Sequence, residues 1–271
     1  MSTATASTAA PVAPAARNGG NGRPVLGPYA VRWARHLATP VVLGLVLLGL
    51  YLYVGAQDLD RIEQRSLNAD YLLSRFGQHL WLSSVVVVLV LAIAIPLGVL
   101  LTRARMRRYA GAVLALANIG QATPSIGLIV LFAVVFLSWG INTIAVVAFV
   151  TYGVLPVLRN TMVGLDQVDR SVVEAARGMG LSRLRVLWSI ELPLAVPVML
   201  AGIRTALVIT VGTVALATFI GAGGLGDVIS NGISSNRDLV LFAGSVLVAV
   251  LALTIDWLGA LVEDLLRPRG V

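Results

Sequence analysis

Long, mostly apolar runs without a charged residue constrain this chain more than any other feature of its sequence. The first, LATPVVLGLVLLGLYLYVGA, occupies 37–56, and a helix of that length rises about 30 Å, the thickness of the hydrocarbon core of a bilayer. Hydrophobic residues make up 58% of the chain and charged residues 12%, whereas soluble domains carry about 25% charged residues. The chain is therefore predicted to be an integral membrane protein.

Five further apolar runs follow, four without a charged residue and one with a single arginine, which predicts an all-α, polytopic membrane protein with six transmembrane helices. Their bounds are 80–101, 110–139, 141–158, 197–220 and 239–255. The third run is the least regular, because Pro124 interrupts it and proline removes a helical hydrogen bond. Residues 1–28 consist mainly of Ala, Ser, Thr, Pro, Gly and Asn, a composition that predicts a disordered tail.

The distribution of arginine predicts which end of the bundle faces the cytoplasm. Six spans put both termini on one side of the membrane, together with the loops 102–109 and 159–196. That side carries 15 arginines and the other side four, with Arg204 left out because it lies inside a span. Cytoplasmic segments carry the excess of basic residues, so both termini and both loops are predicted to be cytoplasmic. The net charge of +7 is therefore explained by arginines in the loops that lie next to membrane lipids, and no nucleic-acid partner is expected.

The cytoplasmic loop 159–196 contains the most informative stretch, VVEAARGMGLSRLRVLWSIELP at 172–193. Apolar residues recur there at three- and four-residue spacing on both sides of Gly180, which predicts two short amphipathic helices hinged at that glycine. Ser182 is a suitable N-cap for the second helix, and Leu192-Pro193 is predicted to end that helix before the next span. By these properties alone, the segment fits a helix pair on the inner leaflet and a docking surface for a cytoplasmic partner equally well.

The spacing within this stretch matches the EAA signature, EAA-x3-G-x9-I-x-LP, at every position. The chain therefore resembles the MetI-like permease subunits of binding-protein-dependent ABC importers, in which this loop sits in a groove of the ATPase subunit. The resemblance implies a two-helix coupling loop whose ATPase-coupling residues are Glu174, Ala175, Ala176, Gly180, Leu192 and Pro193.

The resemblance also implies an organisation and a set of partners. The permease core would cover 79–265, after a cytoplasmic tail over 1–28 and a first transmembrane helix with an external loop over 29–78, and 266–271 would form a cytoplasmic C-terminal tail. The expected partners are ABC ATPase subunits, an extracytoplasmic substrate-binding protein and a second permease, in a homodimer or a heterodimer. The chain itself would be no enzyme and would bind no cofactor, since the partner ATPase uses ATP and Mg²⁺. The expected location is the cytoplasmic (inner) membrane of a bacterium.

Four stretches resemble osmoprotectant permeases of the OpuC and ProW type in particular. They are 114–131, 152–161, 201–206 and 219–229. This resemblance implies import of quaternary ammonium osmoprotectants, namely glycine betaine, carnitine, choline or proline betaine. The alternatives are an importer for another small solute such as an amino acid, a carrier that works without a motor, and an intramembrane enzyme.

Polar residues within the third predicted span are candidates for lining a translocation path, since polar side chains in hydrocarbon face the interior of a bundle. They are Asn118, Gln121, Thr123 and Ser125. Hydrogen bonding between helices is the alternative explanation for each of them.

The charged side chain of Arg204 is costly inside a span and invites a partner. A pair with Asp256, near the same membrane boundary, is a hypothesis, and snorkelling of the arginine to the interface is the alternative. His36 and His79 each stand singly beside a span, so no metal site is predicted. No set of nucleophile and base at helical spacing predicts a catalytic site.

Overall fold

The computed structural model describes the backbone of residues 28–266 and the side chains of 37–266, and within that range every regular element is helical. The predicted tails lie almost entirely outside the described residues. The α-helices are α1 (Pro28–Gly55), α2 (Arg61–Ser66), α3 (Ala69–Leu101), α4 (Ala110–Ala122), α5 (Ser125–Val135), α6 (Ile141–Asp166), α7 (Arg170–Gly178), α8 (Arg183–Val186), α9 (Leu192–Val214), α10 (Gly226–Ser234) and α11 (Asp238–Leu266).

Five helical segments are long and apolar enough to cross a membrane. They are Leu37–Gly55, Ala69–Leu101, Ile141–Asp166, Arg183–Ile220 and Asp238–Leu266. The predicted third span, 110–139, is instead broken: α4 and α5 are bent by 100° relative to each other. The backbone leaves the helical conformation at Thr123 and Pro124, where proline disfavours a helical residue before it. Counting this bent pair as one span gives six, and the all-α, polytopic fold is confirmed.

The centre of the bundle is formed by α3, α6 and α9, whose apolar faces share one buried cluster around Val86, Val90 and Phe149. Helices α6 and α9 approach each other closely because Gly202 has no side chain. A Cβ at that position would lie 2.5 Å from the Cβ of Asn160 and 2.7 Å from the carbonyl oxygen of Pro156. Small residues at membrane helix interfaces allow this close packing, which fixes the position of α9 against the core.

One end of the bundle gathers the arginine-rich loops. The guanidinium of Arg107 lies 3.1 Å from the carboxylate of Asp166, and that of Arg103 lies 2.5 Å from the carboxylate of Glu191. These two pairs join the loop after α3 to the end of α6 and to the turn before α9. The loops 102–109 and 159–196 therefore lie at the same end, as the arginine count predicts.

The opposite end is joined by two other ion pairs. Arg237 lies 2.6 Å from Asp60, and Arg75 lies 2.8 Å from Asp227, so the segment after α1 and the first part of α3 meet the segment around α10. Gly221, Gly223 and Gly224 all have positive φ in the loop before α10, a conformation that favours glycine.

His79 is fully buried against this glycine loop rather than standing at an interface. Its Nε2 lies 3.0 Å from the carbonyl oxygen of Val211, and its Nδ1 accepts a hydrogen bond from the backbone N–H of Leu225 at 3.3 Å. These two contacts define a neutral ring with the proton on Nε2. His79 thus ties α3 to α9 and to the glycine loop. Among the described residues, no group of three or more potential metal ligands comes together.

Candidate functional site

The EAA segment, residues 170–193, begins with α7, which carries the first half of the EAA signature. Asp169 caps this helix, and its carboxylate accepts a hydrogen bond from the backbone N–H of Ser171 at 2.8 Å. That hydrogen bond lowers the pKa of Asp169 below its ordinary value, because it stabilises the ionised form. The cap therefore remains charged at neutral pH and favours the helix through its dipole.

Gly180 ends α7 in a Schellman turn. Its backbone has φ of +85°, its N–H donates to the carbonyl of Arg177 at 2.9 Å, and the N–H of Leu181 donates to the carbonyl of Ala176 at 3.2 Å. The glycine is needed for this conformation, not for space, because no atom lies within 4 Å of the position of a Cβ. The structure places the bend of the segment at this residue, where the sequence predicts the hinge.

The second helix of the segment begins at Ser182, whose hydroxyl accepts from the N–H of Arg185 at 3.4 Å. It does not end at Leu192-Pro193, and that prediction is wrong. The chain passes from α8 through one wide π-helical turn, Leu187–Glu191, directly into α9, where Pro193 is the second residue. The N–H of Leu192 reaches back five residues to the carbonyl of Leu187, and this wider turn accommodates a proline that has no N–H to donate.

The EAA segment exposes apolar side chains at the arginine-rich end. Met179 is 74% exposed, Leu184 66% and Trp188 65%. Glu174 and Ala175 are also exposed, whereas Ala176 is buried. A cluster of large exposed apolar side chains beside charged ones is typical of a surface that contacts another molecule.

The four polar residues predicted for a translocation path surround the break between α4 and α5. Asn118 is exposed, and Gln121, Thr123 and Ser125 are partly exposed. The hydroxyl of Thr123 donates to the carbonyl of Ile119 within α4 at 2.7 Å. Within residues 37–266, none of the four side chains forms a hydrogen bond to another helix.

Arg204 and Asp256 are brought together between α9 and α11. The Nε and Nη2 of Arg204 donate to the two carboxylate oxygens of Asp256 at 2.5 and 2.7 Å. Glu263 adds a second carboxylate at 3.7 Å from Nη1 of Arg204. This bidentate geometry is the strongest that a guanidinium forms with a carboxylate, so the arginine is held between the helices rather than extended to the interface.

Comparison with known proteins identifies the family. The family model described as "Binding-protein-dependent transport system inner membrane component" matches residues 94–268. The chain belongs to this family. It is the membrane component of such a transport system and not its ATPase.

The sequence is similar to those of osmoprotectant permeases over most of its length. It is 39% identical over 205 residues to the glycine betaine/carnitine/choline transport system permease protein OpuCB of Bacillus subtilis, which spans 75% of this chain and 92% of the relative. It is 40% identical over 216 residues to the osmoprotectant import permease protein OsmW of Salmonella typhimurium, and the alignment covers 79% of this chain and 100% of OsmW.

A solved structure has the same fold. A chain of the MetNI methionine ABC transporter, in an inward-facing conformation, superposes with a TM-score of 0.63 at 25% identity. The superposition covers 73% of this permease and 96% of that chain.

The local sequence does not predict two sets of tertiary contacts in the permease, the Arg103–Glu191 pair and the contacts of His79. Arg103 and Glu191 are 88 residues apart, and nothing in their local patterns predicts that they meet. The contacts of His79 are indicated only by its position in a helix of high hydropathy, where a buried polar side chain needs hydrogen-bond partners.

Proposed function

We propose that this permease imports quaternary ammonium osmoprotectants, such as glycine betaine, carnitine and choline, in an ATP-driven transporter of the bacterial cytoplasmic membrane. The identity to osmoprotectant permeases over three quarters of the chain carries the substrate class. Within the family, the substrate is delivered by a binding protein, and the permease supplies the path across the membrane.

The EAA segment is proposed to be the contact with the ATPase subunit. Support comes from its position at the arginine-rich end and from its exposed apolar residues, such as Met179, Leu184 and Trp188. Burial of these side chains against a protein would recover about 25 cal/mol for every Å² removed from water. Glu174 and Ala175 face outward on α7, and the Gly180 turn sets the angle of the segment. Leu192 and Pro193 form the join to α9, which connects this contact to the membrane-spanning core.

The assembly proposed around the chain contains a second permease, two ATPase subunits that bind ATP and Mg²⁺, and an extracytoplasmic binding protein. The EAA end and both termini would face the cytoplasm. The break between α4 and α5, with Asn118, Gln121, Thr123 and Ser125, is proposed to line part of the path, because these polar side chains lack inter-helical partners among the described residues.

Reconstitution tests this function. The chain would be co-purified with the ATPase and binding protein of its own system and placed in proteoliposomes loaded with ATP and Mg²⁺. We expect uptake of labelled choline, glycine betaine or carnitine that stops without ATP or without the binding protein. Uptake of methionine with none of these three would overturn the substrate class, and uptake unaffected by ATP would overturn the motor.

The contact with the ATPase is tested by reversing one charge. Glu174→Lys should abolish uptake and weaken co-purification of the ATPase, while the permease still inserts into the membrane. Asp70→Lys is the matched control, since Asp70 is also an exposed helical carboxylate but lies at the opposite end of the bundle. Equal effects of the two substitutions would contradict the proposed contact.

A further inference from the structure

A polar pocket of about 410 Å³ lies at the end of the bundle opposite the EAA segment. Four elements form it: the last turn of α2, the first turns of α3, the 3-10 helix Ala215–Ile220 and α10. Its lining contains two arginines, one aspartate and four uncharged side chains that can form hydrogen bonds. On the proposed orientation, this end of the permease is extracytoplasmic.

The floor of the pocket is fixed by two contacts between α3 and α10. The side-chain amide of Asn231 donates to the hydroxyl of Tyr71 at 2.8 Å, and Nη1 of Arg75 lies 2.8 Å from the carboxylate of Asp227. In each helix the two residues are four positions apart, so they lie one turn apart on the same face. These two contacts fix the separation of the helices, and the pocket therefore has its shape without a ligand.

The lining of the pocket includes hydrogen-bond donors that no other group of the described chain uses. Ser66 is only 7% exposed, and its hydroxyl forms no hydrogen bond with any residue of 37–266. Nε of Arg75 is also buried without a hydrogen-bond partner, whereas the contacts of this guanidinium with Gln78 and Asp227 both use Nη1. Most buried polar groups in proteins are paired, so these donors indicate a partner outside the chain.

The lining of the pocket has an excess of positive charge. Arg65, in the last turn of α2, is exposed and forms no ion pair or hydrogen bond with another residue in the part of the chain that the structure describes. Arg75 and Asp227 neutralise each other through their ion pair, so the lining carries a formal charge of +1. A pocket with this charge and these donors suits an anion.

The other carboxylates near α2 lie outside this pocket. Asp60 pairs with Arg237 at 2.6 Å. Asp70 is exposed in the first turn of α3 and does not line the pocket. Three further carboxylates line a separate cavity, namely those of Asp58, Glu63 and Asp238. The positive charge of Arg65 is therefore not neutralised by an ion pair within the described chain.

We infer that this pocket receives a carboxylate side chain, of aspartate or glutamate, from the extracytoplasmic binding protein, with Arg65 and Ser66 as donors. The inference rests on the proposed function, in which a binding protein delivers the solute at this end. A guanidinium forms strong hydrogen bonds with a carboxylate, and a serine hydroxyl can donate one more.

A protein side chain fits the position of the pocket better than the carboxylate of the solute does. Arg65 lies on the short helix α2, which is not one of the long apolar segments that cross the membrane. A side chain of a protein docked on the outer face therefore reaches Arg65 without entering the bilayer. Choline belongs to the proposed substrate class but has no carboxylate, so a pocket for the carboxylate of the solute would not serve it.

The affinity of the binding protein for the transporter provides the direct test. The complex of permease and ATPase, in nanodiscs, would be titrated with the binding protein of its own system, and binding would be followed by biolayer interferometry. Arg65→Glu should weaken binding about 10- to 100-fold, the range for the loss of a hydrogen bond between charged groups. Arg61→Glu is the matched control, because Arg61 is also exposed on α2 and without a partner among the described residues, but does not line the pocket.

The carboxylate on the binding protein is identified by a double-mutant cycle. Exposed aspartates and glutamates of the binding protein would be changed one at a time to asparagine or glutamine. One of these changes should weaken binding to the wild-type permease and have little further effect on Arg65→Gln, as expected for residues in direct contact. A complete scan without a coupled carboxylate would contradict the inference.

Ser66→Ala tests the second donor. The hydroxyl has no hydrogen-bond partner within the described chain, so its loss should leave the melting temperature unchanged and weaken binding about two- to tenfold. A lower melting temperature with unchanged affinity would show that Ser66 acts only in folding and would remove it from the docking site.

The source of the carboxylate is tested by loading the binding protein with glycine betaine or with choline. Arg65→Glu should weaken binding equally with either solute. Weakening with glycine betaine alone would assign the pocket to the solute and refute docking. Equal weakening by Arg65→Glu and Arg61→Glu would reduce the effect to general electrostatic attraction and refute the pocket as well.

ATP-driven uptake separates this inference from the proposed function. Arg65→Glu should raise the concentration of binding protein that gives half-maximal uptake and leave the maximal rate unchanged. A lower maximal rate with an unchanged half-maximal concentration would place Arg65 in the transport step and not in docking. Wild-type uptake together with unaltered binding by Arg65→Glu removes the docking site alone, whereas absent uptake by the wild type removes the proposed function.

Discussion

The Schellman turn at Gly180 permits a test in which backbone conformation is the only variable. Gly178 and Gly180 both lack any atom within 4 Å of a Cβ, so a methyl group clashes at neither position. They differ in their backbone, since Gly180 has φ of +85° and Gly178 is the last residue of α7. Gly180→Ala is therefore the perturbation, and Gly178→Ala is its matched control.

The magnitude follows from that difference in φ. A residue with a Cβ pays about 1–2 kcal/mol in the left-handed region, whereas alanine in a helix gains roughly 0.5–1 kcal/mol over glycine. Gly180→Ala should thus reduce the population of the observed turn by about 5- to 30-fold relative to competing conformations. Gly178→Ala should leave that population unchanged or raise it slightly. Gly180→Asn should fall between them, because asparagine tolerates positive φ better than alanine does.

The assay is ATP-driven uptake by the reconstituted transporter, with co-purification of the ATPase measured in parallel. We expect uptake in the order wild type and Gly178→Ala, then Gly180→Asn, then Gly180→Ala. The amount of permease in the membrane should stay constant, because the turn lies outside the buried core. Wild-type uptake in Gly180→Ala would refute the reasoning, and so would an equal loss in Gly178→Ala.

Three further predictions concern the contacts that hold the bundle together. Arg103→Glu and Glu191→Arg should each lower the melting temperature, because each removes a partly buried charged hydrogen bond worth about 1.5–3 kcal/mol. The double exchange should recover part of this loss, and no recovery would contradict a direct pair. His79→Phe removes the side-chain partner of the Val211 carbonyl and of the Leu225 N–H. The free energy of unfolding should fall by about 1–3 kcal/mol for each group, and an unchanged melting temperature in thermal unfolding would contradict these contacts. Gly202→Val should prevent the close packing of α6 against α9 and reduce the yield of monodisperse protein in size-exclusion chromatography. Gly212→Ala should leave the yield unchanged, because no atom lies within 4 Å of a Cβ at that position.

The fold was largely predictable because the membrane restricts the possible structures. A run such as 37–56 must be helical in hydrocarbon, where every backbone hydrogen bond has to be made within the segment. The polar residues and Pro124 correctly indicate that the third span is irregular. The angle of 100° between α4 and α5 was not predictable, since it depends on how each half packs against the rest of the bundle.

The structure of the EAA segment follows from the sequence where local interactions decide it, and not where tertiary packing does. Gly180 and Ser182 act through contacts with residues next to them in sequence, so their positions at the bend and at the helix start follow from the sequence. The join at Leu192-Pro193 was misread, because a proline ends most helices and a single π-helical turn leaves no recognisable pattern. The pair of Arg103 and Glu191 depends on tertiary packing alone.

The continuous helix through Leu192-Pro193 affects how motion would pass from the EAA segment into the membrane. Had the helix ended at Pro193, a flexible connection would separate the proposed ATPase contact from α9. Instead, α8, the π-helical turn, α9 and a short 3-10 helix form one helical segment, Arg183–Ile220, which also carries Arg204. A rigid helix is one element through which two distant sites can be coupled, and this segment provides one. On the proposed roles, a movement of α8 caused by the ATPase would reach the membrane-spanning core through continuous helix, while the Arg103–Glu191 pair restrains the segment at the inner end.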